Sequence, residues 1–370
     1  MNTEASAGKA LAAIFSGPGQ PIVLREYAIP APGAGEILVN ITCATICGSD
    51  AHTFHGRRVE PTPCVLGHEI VGRIAVFGPG APKVDLTGAP LAIGDRVTWT
   101  LAASCGECFF CKKGLPQKCE KLFKYGHVAA APGKEFTGGF ADCCILRAGT
   151  GVMKLPDAIS DALAAPANCA GATVAAATRL AGALEGDFKG ATVVVMGCGV
   201  LGLNAIAMAS AYGAAEVIGC DISETRAEVA KSFGATRFAL PAEIAAVAKA
   251  ASSGRGADVM LEFSGSSDAV TAGLTTLRVG GVAVIAGTAA PGKPVELSPE
   301  GLVRRMLTIK GLHNYAPCDL VTAVNFLVEN KDRFPFDAFR GESHGLSDIN
   351  AAFEAATKSG GKRVSVVPHS

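Results

Sequence analysis

Four cysteines fall within fifteen residues in Cys105-Gly-Glu-Cys108-Phe-Phe-Cys111 and, after seven more residues, Cys119. A short loop with thiols at that spacing folds them into a tetrahedron around one ion. Zinc has no geometric preference of its own and takes four thiolates readily. A closed set of four leaves no position for a substrate, so the spacing predicts a structural zinc, and the chemistry has to come from elsewhere. Cys47 and His68 are a second pair of zinc-type ligands, in Cys47-Gly-Ser49-Asp50-Ala-His52 and Gly67-His68-Glu69. Ser49 puts a hydroxyl beside such an ion, and His52, one helical turn on, could relay a proton to solvent. A catalytic zinc needs three protein ligands and one open position. The third has to come from farther along the chain, and Cys169 stands where two textures of sequence meet.

A third constellation handles a nucleotide. The apolar run Thr192–Met196 leads into Gly197-Cys-Gly199-Val200-Leu201-Gly202 and then an alanine-rich stretch, and Asp221 follows nineteen residues after Gly202. A lone G-x-G-x-x-G is weak, but strand, turn, helix and acidic residue in this order form the full dinucleotide fingerprint. The glycines let a pyrophosphate approach the helix N-terminus, where unpaired N–H groups and the helix dipole favour anions. Asp221 accepts from the ribose hydroxyls and repels a 2′-phosphate, which favours NAD over NADP.

These residues have to be positioned by two kinds of element. Residues 10 to 160 read as β-structure: short runs at Ile22–Leu24, Glu36–Cys43, Glu69–Phe77 and Arg96–Thr100, bounded by Pro and Gly clusters. After about Asp161, helical stretches alternate with strands: helix Asp161–Leu184, strand Thr192–Met196, helix Val200–Tyr212, strand Glu216–Asp221, helix Ser223–Phe233, then strands Asp258–Phe263, Val282–Ala286 and Leu307–Leu312. Such alternation predicts βαβ units and a parallel sheet. Helices Asp319–Glu329 and Ser347–Lys358 and a strand Arg363–Val367 close the chain.

Composition bounds the partners. The 370 residues are 49% hydrophobic and 18% charged, and 33 basic residues balance 33 acidic ones. That balance points to neither nucleic acid nor an anionic membrane. No apolar run is long enough to span a bilayer or act as a signal peptide. Thirteen dispersed cysteines suit a reducing compartment and metal ligation better than a disulfide framework, so the cytoplasm is the expected location.

Taken together, Gly17-Pro18-Gly19, Cys47-Gly-Ser-Asp, Gly67-His-Glu, the four-cysteine lobe, Gly139-Phe140, Cys169, the glycine-rich turn and Asp221 resemble the zinc-dependent medium-chain alcohol dehydrogenases over nearly the whole chain. The resemblance implies an α/β protein with a GroES-like β-rich catalytic domain (1–163 and 316–370) and a Rossmann doubly wound parallel-sheet domain (164–315). It implies two zinc ions per chain, one held by Cys47, His68 and Cys169 and one by Cys105, Cys108, Cys111 and Cys119. Glu69 would stand behind the catalytic zinc and Asp50 would support His68, with Ser49 and His52 as the proton path. NAD would meet Thr173, Gly197, Gly199, Val200, Leu201, Gly202, Asp221, Arg226, Ser264, Ala286 and, at its pyrophosphate, Arg363. The implied activity is reversible hydride transfer between an alcohol and NAD in a homodimer or homotetramer. Within the family, Leu115–Cys119, Lys124–His127, Ala165–Cys169 and Leu312–Tyr315 are similar to phosphonate-catabolism-associated alcohol dehydrogenases. Arg57 and Arg58 suit an anionic substrate group, though the same pair also reads as a solvated basic loop. Two rival classes share the scaffold: a zinc-free enone or quinone reductase and a non-catalytic nucleotide-binding protein.

Overall fold

The computed structural model describes residues 8–182, 188–288 and 292–368. Their contacts divide into two units. One runs through Cys169 and resumes over Ala316–Val328 and from Phe336; the other is Ala170–Tyr315 with Glu329–Pro335. The first boundary therefore falls after 169, not after 163, because the 3-10 turn Ala165–Asn168 packs on the strand Glu69–Phe77.

In the first unit, β-branched and apolar runs between glycine and proline turns form a seven-stranded sheet. Its order is Val152–Lys154, Arg96–Trp99, Glu69–Phe77, Ile37–Thr45, Arg363–Val367, Arg340–Gly345, with Cys143–Leu146 also on Ile37–Thr45. Ile37–Thr45 and Glu69–Phe77 run antiparallel with Thr45 opposite Glu69, and Arg363–Val367 joins with Ser365 opposite Thr45. This register brings the end of the chain beside Glu69. Trp99, Tyr125, Phe136, Ile41 and Ile70 are fully buried in this unit's core. The Arg340–Gly345 strand is missed by pattern reading, because an exposed edge strand with sequence RGESHG carries no apolar alternation.

The second unit is a six-stranded parallel sheet ordered Arg237–Ala239, Glu216–Cys220, Thr192–Met196, Ala257–Glu262, Leu277–Ile285, Thr308–Gly311. In chain sequence this is 3-2-1-4-5-6, the doubly wound Rossmann order, whose reversal beside the first strand opens a ligand crevice. Thr192–Met196 is buried along its whole length, as a central parallel strand requires.

The expected helix from Asp161 to Leu184 does not form as one element. Helix Asp161–Ala164 gives way to the 3-10 turn Ala165–Asn168, the backbone breaks at Cys169 (φ −128°, ψ −76°), and a new helix runs Ala170–Leu180. Pro166 lies within the 3-10 turn and disfavours continuous α-helix there. Leu184 lies outside the described residues. Helices Ile244–Ala251, Ser267–Thr276 and Pro299–Arg305 are additional to those expected.

The glycine-rich turn shows why its residues are fixed. Gly197 has φ +90°, a conformation side chains rarely adopt, and a Cβ on Gly202 would stand 1.7 Å from the Gly197 carbonyl oxygen. Gly202→Ala should therefore force the turn away from the helix and destabilise the fold by about 1–3 kcal/mol. Urea unfolding of the variant, compared with wild type, measures this.

Candidate active site

The residues Cys47, His68 and Cys169 come from three separate loops, and one carboxylate fixes two of them. Cys47 precedes the short helix Gly48–Phe54, and its N–H donates to Asp50 Oδ2 at 3.0 Å. Asp50 Oδ1 accepts from the Gly67 N–H at 3.2 Å and lies 3.3 Å from His68 Nδ1. Asp50 thus holds the Nδ1 edge of the imidazole and turns Nε2 toward the cysteines. Ser49 Oγ lies 3.4 Å from that Nε2. Gly67 has φ +89°, and a Cβ there would press on the Phe140 ring at 3.1 Å, so the loop tolerates only glycine. Asn168, fully buried, sets the third loop by donating from Nδ2 to the carbonyls of His68 and Trp99, both at 3.1 Å.

The ligand atoms of Cys47, His68 and Cys169 lie within 4.8 Å of one another. Their electrostatics fit a cation. Cys169, and after it Arg363, hold the Cys47 thiol well below its ordinary value against the opposing effect of burial, while the Cys169 thiol is driven well above it by Cys47 and burial. Burial opposes charge on His68, but Asp50 and Cys47 outweigh it and raise the imidazole to about 10. The cluster therefore favours positive charge at its centre, and two thiolates and an imidazole are a zinc donor set with one position left open.

Arg363 is buried, donates from Nε to both oxygens of Glu69 at 3.1 and 2.9 Å, and places Nη2 3.7 Å from Cys47 Sγ. The register of the last strand brings the guanidinium behind the metal ligands. Glu69 also accepts from Thr45 Oγ1 at 2.6 Å; burial pushes its carboxyl up to about 7 against the pull of Arg363. Ser49 and His52 sit one turn apart on their helix, but among the described residues no hydrogen bond joins them directly. Burial and then Arg57 lower the His52 pKa below 6.5. Arg57 is exposed, whereas Arg58 turns inward and pairs with Glu60 at 2.6 Å.

Cys105, Cys108, Cys111 and Cys119 likewise bring their sulfurs within 4.8 Å of one another. The Cys105–Cys119 and Cys108–Cys119 separations are 3.4 and 3.9 Å. Four sulfurs around zinc at ordinary bond lengths would stand roughly 3.8 Å apart. Backbone N–H groups of Cys111 and Glu120 pull Cys108 down to about 6, and those of Glu107 and Cys108 lower Cys105. The amides favour thiolates at Cys108 and Cys105, whereas burial and then Cys108 push Cys111 up to about 12.

In the second unit, a cavity of about 780 Å³ opens at the glycine turn. Of the expected cofactor residues, Gly197, Gly199, Asp221, Arg226 and Ser264 line it, and Thr173, Val200, Leu201, Gly202, Ala286 and Arg363 do not. Gly202 serves packing, as above. Val200 and Leu201 open the helix Val200–Ala211, whose first-turn amides have no intrahelical partners. A Cβ on Gly199 would meet nothing within 4 Å, which leaves room for a phosphate there. Asp221 Oδ2 accepts from the Cys198 N–H at 2.8 Å and Oδ1 from the Ser223 N–H at 3.1 Å, so it braces the turn as well as facing the cavity. Thr173 is half-buried on the Ala170–Leu180 helix.

Two organising residues escape the sequence reading. Asn168 is one, and Glu262 the other. Glu262 is fully buried at the end of its strand; Oε1 accepts from the Ser264 N–H and Oγ at 2.6 Å and from the Gly265 N–H at 2.8 Å, and Oε2 from the Gly287 N–H at 3.2 Å. A buried acid ending an apolar strand is the signal that could have found it, since such a charge must be answered by local donors.

Comparison with known proteins accords with this geometry. Residues 33–157 match the alcohol dehydrogenase GroES-like domain and residues 200–329 the zinc-binding dehydrogenase model. An L-threonine 3-dehydrogenase of Pyrococcus horikoshii is 31% identical over 82% of this chain and 83% of its own. A 5-exo-hydroxycamphor dehydrogenase of Pseudomonas putida is 30% identical over 88% and 89%. The crystal structure of an alcohol dehydrogenase from Thermotoga maritima superimposes with a TM-score of 0.90 at 31% identity, covering 98% of this chain and all of that one. The chain belongs to the zinc-dependent medium-chain alcohol dehydrogenase family. It is an oxidoreductase with the expected GroES-like and Rossmann folds.

Glu262→Gln puts an N–H where three donors converge and should loosen the Ser264 loop. Dinucleotide affinity, read by quenching of protein fluorescence, should fall about tenfold, with melting temperature lowered by only a few degrees.

Proposed function

We propose that this protein binds two zinc ions and uses the one at Cys47, His68 and Cys169 to oxidise an alcohol reversibly with NAD. The observation that carries the reading is the contrast between the two clusters: three converging ligands in one, four in the other. A three-ligand set leaves a position for substrate; a four-ligand set closes on its ion. When bound, zinc supplies Lewis-acid polarisation of the alcohol oxygen, and the nicotinamide accepts hydride.

The chain's own residues do the rest. Asp50 fixes the His68 ring, and Asn168 holds the backbone on either side of it. Glu69 and Arg363 set the field behind the thiolates. Ser49 accepts the hydroxyl proton from the substrate side. His52 passes it to solvent across the missing Ser49–His52 contact, with a ligand hydroxyl or a water between them. Asp221 favours NAD by repelling a 2′-phosphate. The substrate hydroxyl belongs to a molecule that also carries an anionic group. Thiolate ligands need reduced cysteines, and all thirteen are unpaired, which supports a cytoplasmic location; no helix among the described residues is long and apolar enough to cross a membrane. Thr308–Gly311 ends the parallel sheet, and an edge strand there supports a homo-oligomer, dimer or tetramer, joined through it.

The decisive experiment couples zinc analysis to an alcohol panel with NAD and NADP side by side. His68→Ala should retain one zinc per chain, keep its circular dichroism, and lose turnover by roughly a thousandfold or more. A variant with one zinc and undiminished turnover would remove this site from the reaction.

His52 gives a pH signature. As a proton acceptor it works only when neutral, so wild-type oxidation should rise through an inflection below 6.5, the direction set by its burial and Arg57. His52→Gln should erase that inflection and slow oxidation about tenfold near neutrality, the deficit closing at alkaline pH where hydroxide takes the proton. An unchanged profile counts against the relay.

A further inference from the structure

Beside the metal ligands lies a set of charges that the reaction as described leaves unused. The His127 ring centroid stands 5.0 Å from that of His68. His127 Nε2 lies 3.8 Å from Glu60 Oε1, and Glu60 pairs with Arg58 at 2.6 Å. The side chains of Arg58, Glu60 and His127 are only 22%, 10% and 7% exposed. Lys124, half-buried on the short strand Phe123–Lys124, completes the set: its carbonyl accepts from the His127 N–H at 3.2 Å, and its ammonium feels the charges of Arg58, Cys169, Glu60 and Cys47.

The charges do not cancel. Glu60 answers Arg58. His127 donates from Nδ1 to the Tyr125 carbonyl at 2.7 Å and adds no negative charge. The two thiolates are the charges a divalent zinc matches. Among the described residues no carboxylate lies within ion-pair distance of the Lys124 ammonium. A half-buried cation without a counter-ion is costly unless something else supplies the negative charge.

We propose that Lys124, with Arg58 beside it, seats an anionic group of the alcohol substrate. This narrows the substrate to a hydroxy acid or hydroxyphosphonate and rests on the zinc-alcohol reading above. Glu60 holds Arg58 in place and sets a limit on the negative charge the pocket accepts, and His127 spaces the anion from His68. The exposed Arg57 takes no part. A charge-assisted contact of this kind discriminates by about tenfold or more between an anion and its neutral analogue.

The test uses the zinc-loaded enzyme with NAD. Two anionic alcohols, 3-hydroxybutyrate and 2-hydroxyethylphosphonate, are compared with methyl 3-hydroxybutyrate and 1-propanol, and the pair of anions separates carboxylate from phosphonate. Wild type should favour an anionic alcohol in kcat/KM by at least tenfold. Lys124→Met should cut that preference at least tenfold through KM, Lys124→Arg should restore most of it, and Arg57→Gln should leave it alone. Butyrate and propylphosphonate, which lack the hydroxyl, should bind wild type in calorimetric titration and not Lys124→Met. A preference for the neutral alcohols, or one unmoved in a folded, zinc-loaded Lys124→Met, overturns the proposal. If that variant fails to fold, the titration of wild type decides, and absence of binding by both anions overturns it. Brisk oxidation of neutral alcohols alone sinks only this inference; no turnover of any alcohol by enzyme carrying two zincs sinks the zinc-alcohol reading itself.

Discussion

The site depends on one buried carboxylate. Asp50 is 2% exposed, accepts from the Cys47 and Gly67 amides and lies 3.3 Å from the Nδ1 edge of His68. A charge so deeply placed is tolerable only because each oxygen is answered. Those same answers tie a cysteine loop to a histidine loop seventeen or more residues away, so the ligand geometry is a by-product of satisfying Asp50. Gly67 completes the arrangement, since only a residue without Cβ fits beneath Phe140 at positive φ.

Behind the ligands, Glu69 and Arg363 form a second buried pair that ties the end of the chain to its first third. Breaking such a pair by removing one partner leaves an uncompensated charge and costs about 3–5 kcal/mol. The pair also acts on the metal side: the guanidinium lies against Cys47 Sγ and lowers its proton affinity, whereas the carboxylate limits that effect. Fold stability and ligand charge are therefore set by the same two side chains, and a change at either one moves both.

Much of this was legible in the residues. Spacing alone picks out the four-cysteine lobe, and strand, turn and acid in order pick out the dinucleotide turn. Residue type marked Cys47 and His68 as candidate ligands and pointed to Cys169, but only resemblance joined the trio, because its members come from loops brought together by tertiary contacts that spacing does not encode. The break at Cys169 was missed because an alanine-rich stretch has high helix propensity, and the local demand of Pro166 and of packing on Glu69–Phe77 overrode it. The Glu69 contact of Arg363 was missed for a related reason: strand register decides which carboxylate a basic residue near the end of the chain reaches. Asn168 and Glu262 do their work by donating or accepting along backbone, which leaves no pattern in sequence.

The four-cysteine lobe acquires a different role from the geometry. It is the excursion between the paired strands Ala102–Ala103 and Phe123–Lys124, and the return strand delivers Lys124, Tyr125 and His127 in immediate succession. Tyr125 is anchored in the core by Thr150 Oγ1 at 2.6 Å and by the Arg147 N–H at 2.8 Å. Lys124 and His127 flank that anchor, and the His127 ring stands 5.0 Å from that of His68. An ion that closes the loop cuts the conformational freedom of the segment leading into this strand, much as any cross-link does. A zinc closed by these four cysteines would perform no chemistry, yet through the two-stranded pairing it would steady the segment that carries Lys124 and His127. Metals at the two clusters would in this way be mechanically linked within one unit.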